Sequence, residues 1–144
     1  MKQHRKKVRE LMRISPNEWL QDSALRSCSI EARGAWMDLM GVMSESSPPG
    51  ETRIGGNPAT LEGLARICGV SSERMKLILD ELVAVGLCRL AKDGVYQSDD
   101  VRQRVEKMNH VRSVRAQSGK LGAATRELAR KPQGSEQAVQ ETAL

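Results

Sequence analysis

Phenylalanine is absent from this 144-residue chain, and with two tryptophans and one tyrosine the aromatics amount to only 2%. Any core must therefore be built from Leu, Val, Ile, Met and Ala around Trp19 and Trp36. Long apolar runs are missing too. None approaches the roughly 18 residues that a membrane span needs, and the basic opening MKQHRKKVRE leads into a mixed segment rather than an apolar leader. A cytoplasmic protein without membrane contact is expected. Cysteines are few, odd in number and widely spaced: Cys28, Cys68 and Cys88 each sit beside apolar residues. That pattern excludes a disulfide framework and a thiolate metal site, and predicts reduced, packed thiols. His4 and His110 have no ligand partner three or four residues away, so no metal is expected.

Catalytic motifs are equally scarce. There is no nucleophile elbow and no paired histidine–carboxylate spacing, and Gly119-Lys120 lacks both the upstream glycine and the following Ser or Thr of a phosphate-binding loop. The expectation is a non-enzyme that needs no cofactor.

What the chain has is segregated charge. The overall +5 divides into six Lys/Arg against Glu10 over residues 1–13, and eight against eleven Asp/Glu over residues 14–96. Residues 97–131 carry nine against four, and the remainder adds only Glu136 and Glu141. A mildly acidic centre is thus flanked by basic arms.

Capping and periodicity place the elements. Ser15-Pro16-Asn17-Glu18 supplies an N-cap hydroxyl, a preset φ and a third-position carboxylate, which start a short helical turn carrying Trp19 and Leu20. Ser29 caps a helix over about residues 30–44, with Ala32, Ala35, Trp36, Leu39, Met40 and Met43 on one stripe; the prolines of SESSPPG end it. Residues 51–54 suit a single edge strand closed by Gly55-Gly56-Asn57-Pro58. Thr60 then caps a helix that stops at Gly69, where a positive φ is needed. Ser71 or Ser72 caps the next, which buries Met75, Ile78, Leu79, Leu82 and Val85 and ends at Gly86. Residues 87–90 and 95–97 flank a turn containing Asp93-Gly94, a strong hairpin signal. This order predicts a mainly α fold with a small β wing: a winged helix-turn-helix domain over 15–97. A basic N-terminal arm over 1–14 precedes it, and a basic helical extension over 98–131 and a disordered tail over 132–144 follow. The extension is expected as a helix from Asp99 to about Gln117, interrupted by Ser118-Gly119-Lys120-Leu121-Gly122, with Val101, Val105 and Met108 spaced to pack on the domain or on a partner chain.

Three passages resemble the small winged-helix proteins encoded in phages and prophages near replication genes. They are Trp19-Leu20-Gln21-Asp22 followed by Cys28-Ser29-Ile30-Glu31-Ala32-Arg33-Gly34-Ala35-Trp36; Leu64-Ala65-Arg66 leading into Gly69-Val70-Ser71; and Arg112 with Arg115-Ala116-Gln117-Ser118-Gly119-Lys120-Leu121-Gly122. The resemblance covers roughly residues 17–125. It implies a DNA-binding protein active in replication initiation or its regulation.

Two interfaces follow. In one, the helix after Ser71 enters the major groove of duplex DNA, with Ser71, Ser72, Arg74 and Lys76 at its end, Arg66 on the preceding helix, and Arg89 and Lys92 on the wing. Yet its exposed face centres on Glu73, Leu77, Asp80 and Ala84, with Glu81 beside them, a poor surface for base readout. In the other, affinity comes from phosphate contacts by the arm residues Lys6, Lys7, Arg9, Arg102, Arg104, Lys107, Arg112 and Arg115. Leu77, Asp80 and Ala84 then contact a protein, either a replication or host partner or a second copy. The alternative is an adaptor or inhibitor that uses the acidic winged-helix surface and reads no DNA.

Overall fold

The structure is a computed structural model that describes the backbone of residues 12–141 and the side chains of residues 12–130. It is mainly helical with small antiparallel hairpins, in the order α1 (Pro16–Gln21), α2 (Ser23–Ser27), α3 (Ile30–Glu45), β1 (Arg53–Ile54), β2 (Asn57–Pro58), α4 (Leu61–Cys68), α5 (Ser72–Ala84), β3 (Arg89–Leu90), β4 (Tyr96–Gln97) and α6 (Asp99–Glu141). Two units divide the chain, one ending at Glu106 and the other beginning at Lys107.

In the first unit, the expected caps start the helices. The hydroxyls of Ser15, Ser29, Thr60 and Ser71 each accept from the backbone N–H three residues on, satisfying donors that have no intrahelical partner. Asp22 does the same for α2, a helix the sequence pattern did not suggest. Gly69 closes α4 at φ +73°, a conformation that side chains with a Cβ rarely adopt. The turn Gly69-Val70-Ser71 then starts α5 at once. Helices α3, α4 and α5 bury Ala32, Trp36, Leu39, Met43, Leu64, Met75, Leu79 and Leu82 against one another.

Residues 51–58 depart from the single edge strand expected. Gly55 and Gly56, at φ +59° and +81°, turn the chain so that Arg53 faces Pro58 and Ile54 faces Asn57. Two successive positive φ values suit the twist of a tight hairpin, and Pro58 is tolerated because an edge position requires no donor. Upstream of this hairpin the chain pairs elsewhere. Glu51 bridges to Gln97, the Thr52 N–H donates to the Tyr96 carbonyl (3.0 Å), and the Tyr96 N–H donates to the Thr52 hydroxyl (3.0 Å). The β3–β4 hairpin turns at Gly94 (φ +82°), with register Arg89 to Gln97 and Leu90 to Tyr96.

The domain boundary lies further along than residue 97. Val101 and Val105 are buried in the core, so the first turns of α6 belong to the first unit. Gly50 explains the close approach: at φ +85° it is buried, and a Cβ there would stand 2.8 Å from both the Arg102 Cβ and the Ser98 carbonyl.

The interruption expected at residues 118–122 is absent, and α6 continues through it. Each interior glycine costs about 1 kcal/mol relative to alanine, which weakens a helix without ending it. The disorder expected over 132–144 is likewise not what the backbone shows up to Glu141. Pro132 and Gly134 oppose a helix there, while Gln133, Glu136, Gln137, Ala138 and Gln140 favour one.

Candidate nucleic-acid interface

The cations of the first unit are mostly occupied. Arg74 of α5 reaches α3, where its Nε donates to Glu31 (2.7 Å) and its guanidinium forms an ion pair with the same carboxylate. Lys76 pairs with Asp80 one turn on (2.8 Å). Arg89, on the wing, makes a two-pronged contact with Asp99, which also pairs with Arg102 (3.0 Å). Arg104 lies between Glu18 and Asp100. Arg53 ties the hairpin turn to Glu51 and to Asp93 (2.6 Å). These contacts leave their mark on acidity. Hydrogen bonding to Arg104 holds the Glu18 carboxyl below its ordinary range, and Arg89 does the same for Asp99. The partner guanidiniums of Arg74, Arg89 and Arg104 are pushed up by the same bonds.

Of the residues expected at a groove-reading helix, then, Arg74, Lys76 and Arg89 each hold a carboxylate. The Ser71 hydroxyl is committed to its own helix, Ser72 is half-buried, and Arg66 and Lys92 are exposed. The exposed face of α5 carries Glu73, Leu77, Asp80 and Ala84, as the helical wheel indicates. Glu81 is the exception. Its carboxylate turns to the start of α3 and accepts from both the backbone N–H (2.5 Å) and the hydroxyl (2.9 Å) of Ser29. Glu81 is thus a packing link between α5 and α3, not part of an acidic surface.

The second unit has a different character. Residues 107–130 carry six Lys/Arg against Glu127 alone, a net +5, whereas residues 12–106 carry eleven against fourteen, a net −3. At 100° per residue, Arg112, Arg115, Arg126 and Arg130 fall within about 60° of one another, in a row about 27 Å long. All four are exposed, as is Lys107. Arg126 and Arg130 were not among the arm residues singled out from sequence. The break expected at 118–122 separated them from Arg112 and Arg115, although the spacings of 3, 11 and 4 are the signal of a single helical face. Lys6, Lys7 and Arg9 lie outside the described residues. Arg102 and Arg104 do not join the row, since both sit in the first unit in ion pairs.

Two further features carry less chemistry. Trp19 and Trp36 line a cleft of about 190 Å³ with Leu25 and Met40, but the charges at its rim, Glu18, Asp100 and Arg104, pair with one another. The three cysteines are unbridged; burial pushes the Cys68 thiol up to about 11 and that of Cys88 up to about 12. Among the described residues no group of His, Cys, Asp and Glu is placed to hold a metal ion, and no helix is long and apolar enough to cross a membrane. The two positions where charge and geometry coincide are the arginine row of α6 and the exposed face of α5. Comparison with protein-family models, with curated proteins and with solved structures gave no match to this chain.

Proposed function

We propose that this is a nucleic-acid-binding protein of the phage winged-helix type, acting in DNA replication initiation or its regulation, and that it grips duplex DNA mainly through phosphates. The observation that carries the proposal is charge placement: residues 12–106 are net −3, whereas residues 107–130 are net +5 with four exposed arginines on one helical face. Guanidiniums in a row displace counterions from a phosphate backbone without reading bases. The element order α3, β1, α4, α5, β3, β4 supports a winged helix, with α4 and α5 as its helix-turn-helix and the β3–β4 hairpin as its wing. In this reading α5 does not supply the main affinity, because Arg74 and Lys76 face Glu31 and Asp80.

The test is binding of the full chain to two unrelated duplexes. Equal affinities are expected, with most of the affinity lost when Arg112, Arg115, Arg126 and Arg130 are changed to Gln. Strong discrimination between the duplexes, abolished by Arg74→Ala, would instead place α5 in the groove.

A second reading rests on the α5 face itself. Leu77 is 60% exposed amid Glu73 and Asp80, which suits a protein-docking patch with an apolar centre and polar surround. An adaptor of this kind would lose its partner on Leu77→Asp and keep it when the arginine row is neutralised.

A further inference from the structure

Beyond its arginines, the segment after Lys107 carries a second pattern. Val111, Val114, Leu121 and Leu128 are 40%, 47%, 70% and 69% exposed. With Ser118 and Thr125 they complete an unbroken alternation of three- and four-residue steps: 111, 114, 118, 121, 125, 128. That is the a/d repeat of a two-stranded coiled coil, in which each seam side chain fits between four of a facing helix. A surface helix that packs on a globular core shows a broader stripe instead.

We propose that residues 111–128 form a short parallel coiled coil through which two copies of this chain pair. Three observations identify the occupant. First, the repeat itself calls for a helix of the same period, and the chain supplies one in every copy. Second, β-branched Val111 and Thr125 occupy a positions while Leu121 and Leu128 occupy two of the three d positions, Val114 taking the other; β-branched residues at a with Leu at d favour two parallel strands. Third, charge permits the approach despite a net +5 on each helix. Arg112, Lys120, Arg126 and Arg130 lie at outward positions, and of the five positions flanking the seam only Arg115 is charged, the others being Gln117, Gly122, Ala124 and Ala129. Lone helices of this length are marginal in water, and Gly119 and Gly122 weaken this one further. Pairing supplies the missing burial. The polar Ser118 at an a position lowers affinity but fixes register, so the pairing is weak and concentration-dependent. It does not depend on nucleic acid.

Sedimentation equilibrium of the full chain, without DNA and over a wide concentration range, tests it. The expected result is a monomer–dimer equilibrium that Leu121→Glu shifts to monomer by at least tenfold, that Ser118→Leu tightens by at least tenfold, and that Ala116→Glu, off the seam, leaves unchanged. Mild oxidation of Leu121→Cys should give a covalent dimer, because parallel strands bring this position against itself, and Ala116→Cys should not. A monomer at every concentration for both wild type and Ser118→Leu would overturn the proposal. So would a dimer indifferent to Leu121→Glu, or a dimer in which Leu121→Cys fails to cross-link.

Discussion

The two units of this chain solve opposite problems with similar materials. Residues 12–106 bury leucines, methionines and Trp36 in one core and pair six of their eleven cations with carboxylates. Residues 107–130 leave their leucines and valines exposed and carry six cations against one anion. The same residue types therefore mean stability in one unit and interaction in the other. What distinguishes them is burial of the apolar groups and the balance of charge around them.

Truncation should break this comparison most sharply. Leu82 is fully buried, so Leu82→Ala should cost about 2–5 kcal/mol. Leu128→Ala should leave the thermal transition of the first unit unchanged. Calorimetry of both variants at low concentration checks the contrast, and equal losses would show that the second unit stabilises the first. Gly50→Ala comes next. A strained φ of +85° and a 2.8 Å approach to the Ser98 carbonyl and the Arg102 Cβ should lower stability by more than about 1 kcal/mol, read from urea midpoints.

A smaller effect concerns pH. Burial raises the Cys68 and Cys88 thiols to about 11 and about 12 from an ordinary 9.0. The folded state thus keeps protons that the unfolded state loses, so this stabilisation is complete below pH 9 and declines as pH rises from 9 toward 12. Chemical unfolding at pH 8 and pH 10 should show the loss, and thiol reagents should react with Cys88 only as the protein unfolds. Smallest of all should be Arg74→Ala. Its pair with Glu31 is solvent-exposed, and water and salt screen such pairs so far that the midpoint should barely move.

Much of the helical order was legible because its signals are local. Ser29, Thr60 and Ser71 stand three residues before the N–H they satisfy, and Gly69 and Gly86 mark left-handed stops. The β1–β2 hairpin was not, since two-residue strands ending in Pro58 are too short to show a period. Nor were the long-range polar links. Arg74 and Glu31 are 43 residues apart, Ser29 and Glu81 are 52 apart, and Arg104 and Glu18 are 86 apart, so their pairing depends on packing that no local pattern encodes. For the candidate site, charge segregation was visible along the chain, but the arginine face was not. It exists only if the helix persists through Gly119 and Gly122, where the residue pattern suggests a break.

The most direct test of the account is the salt dependence of binding to random duplex DNA, followed by fluorescence anisotropy for the wild-type chain and for the variant with Arg112, Arg115, Arg126 and Arg130 changed to Gln. Each phosphate contact contributes about 0.9 to the slope of log affinity against log salt. The expected result is a steep wild-type slope that falls by up to about 3.6 in the variant, with the thermal transition of the first unit unchanged. An identical slope in the two proteins would contradict the claim that the arginine row carries the binding.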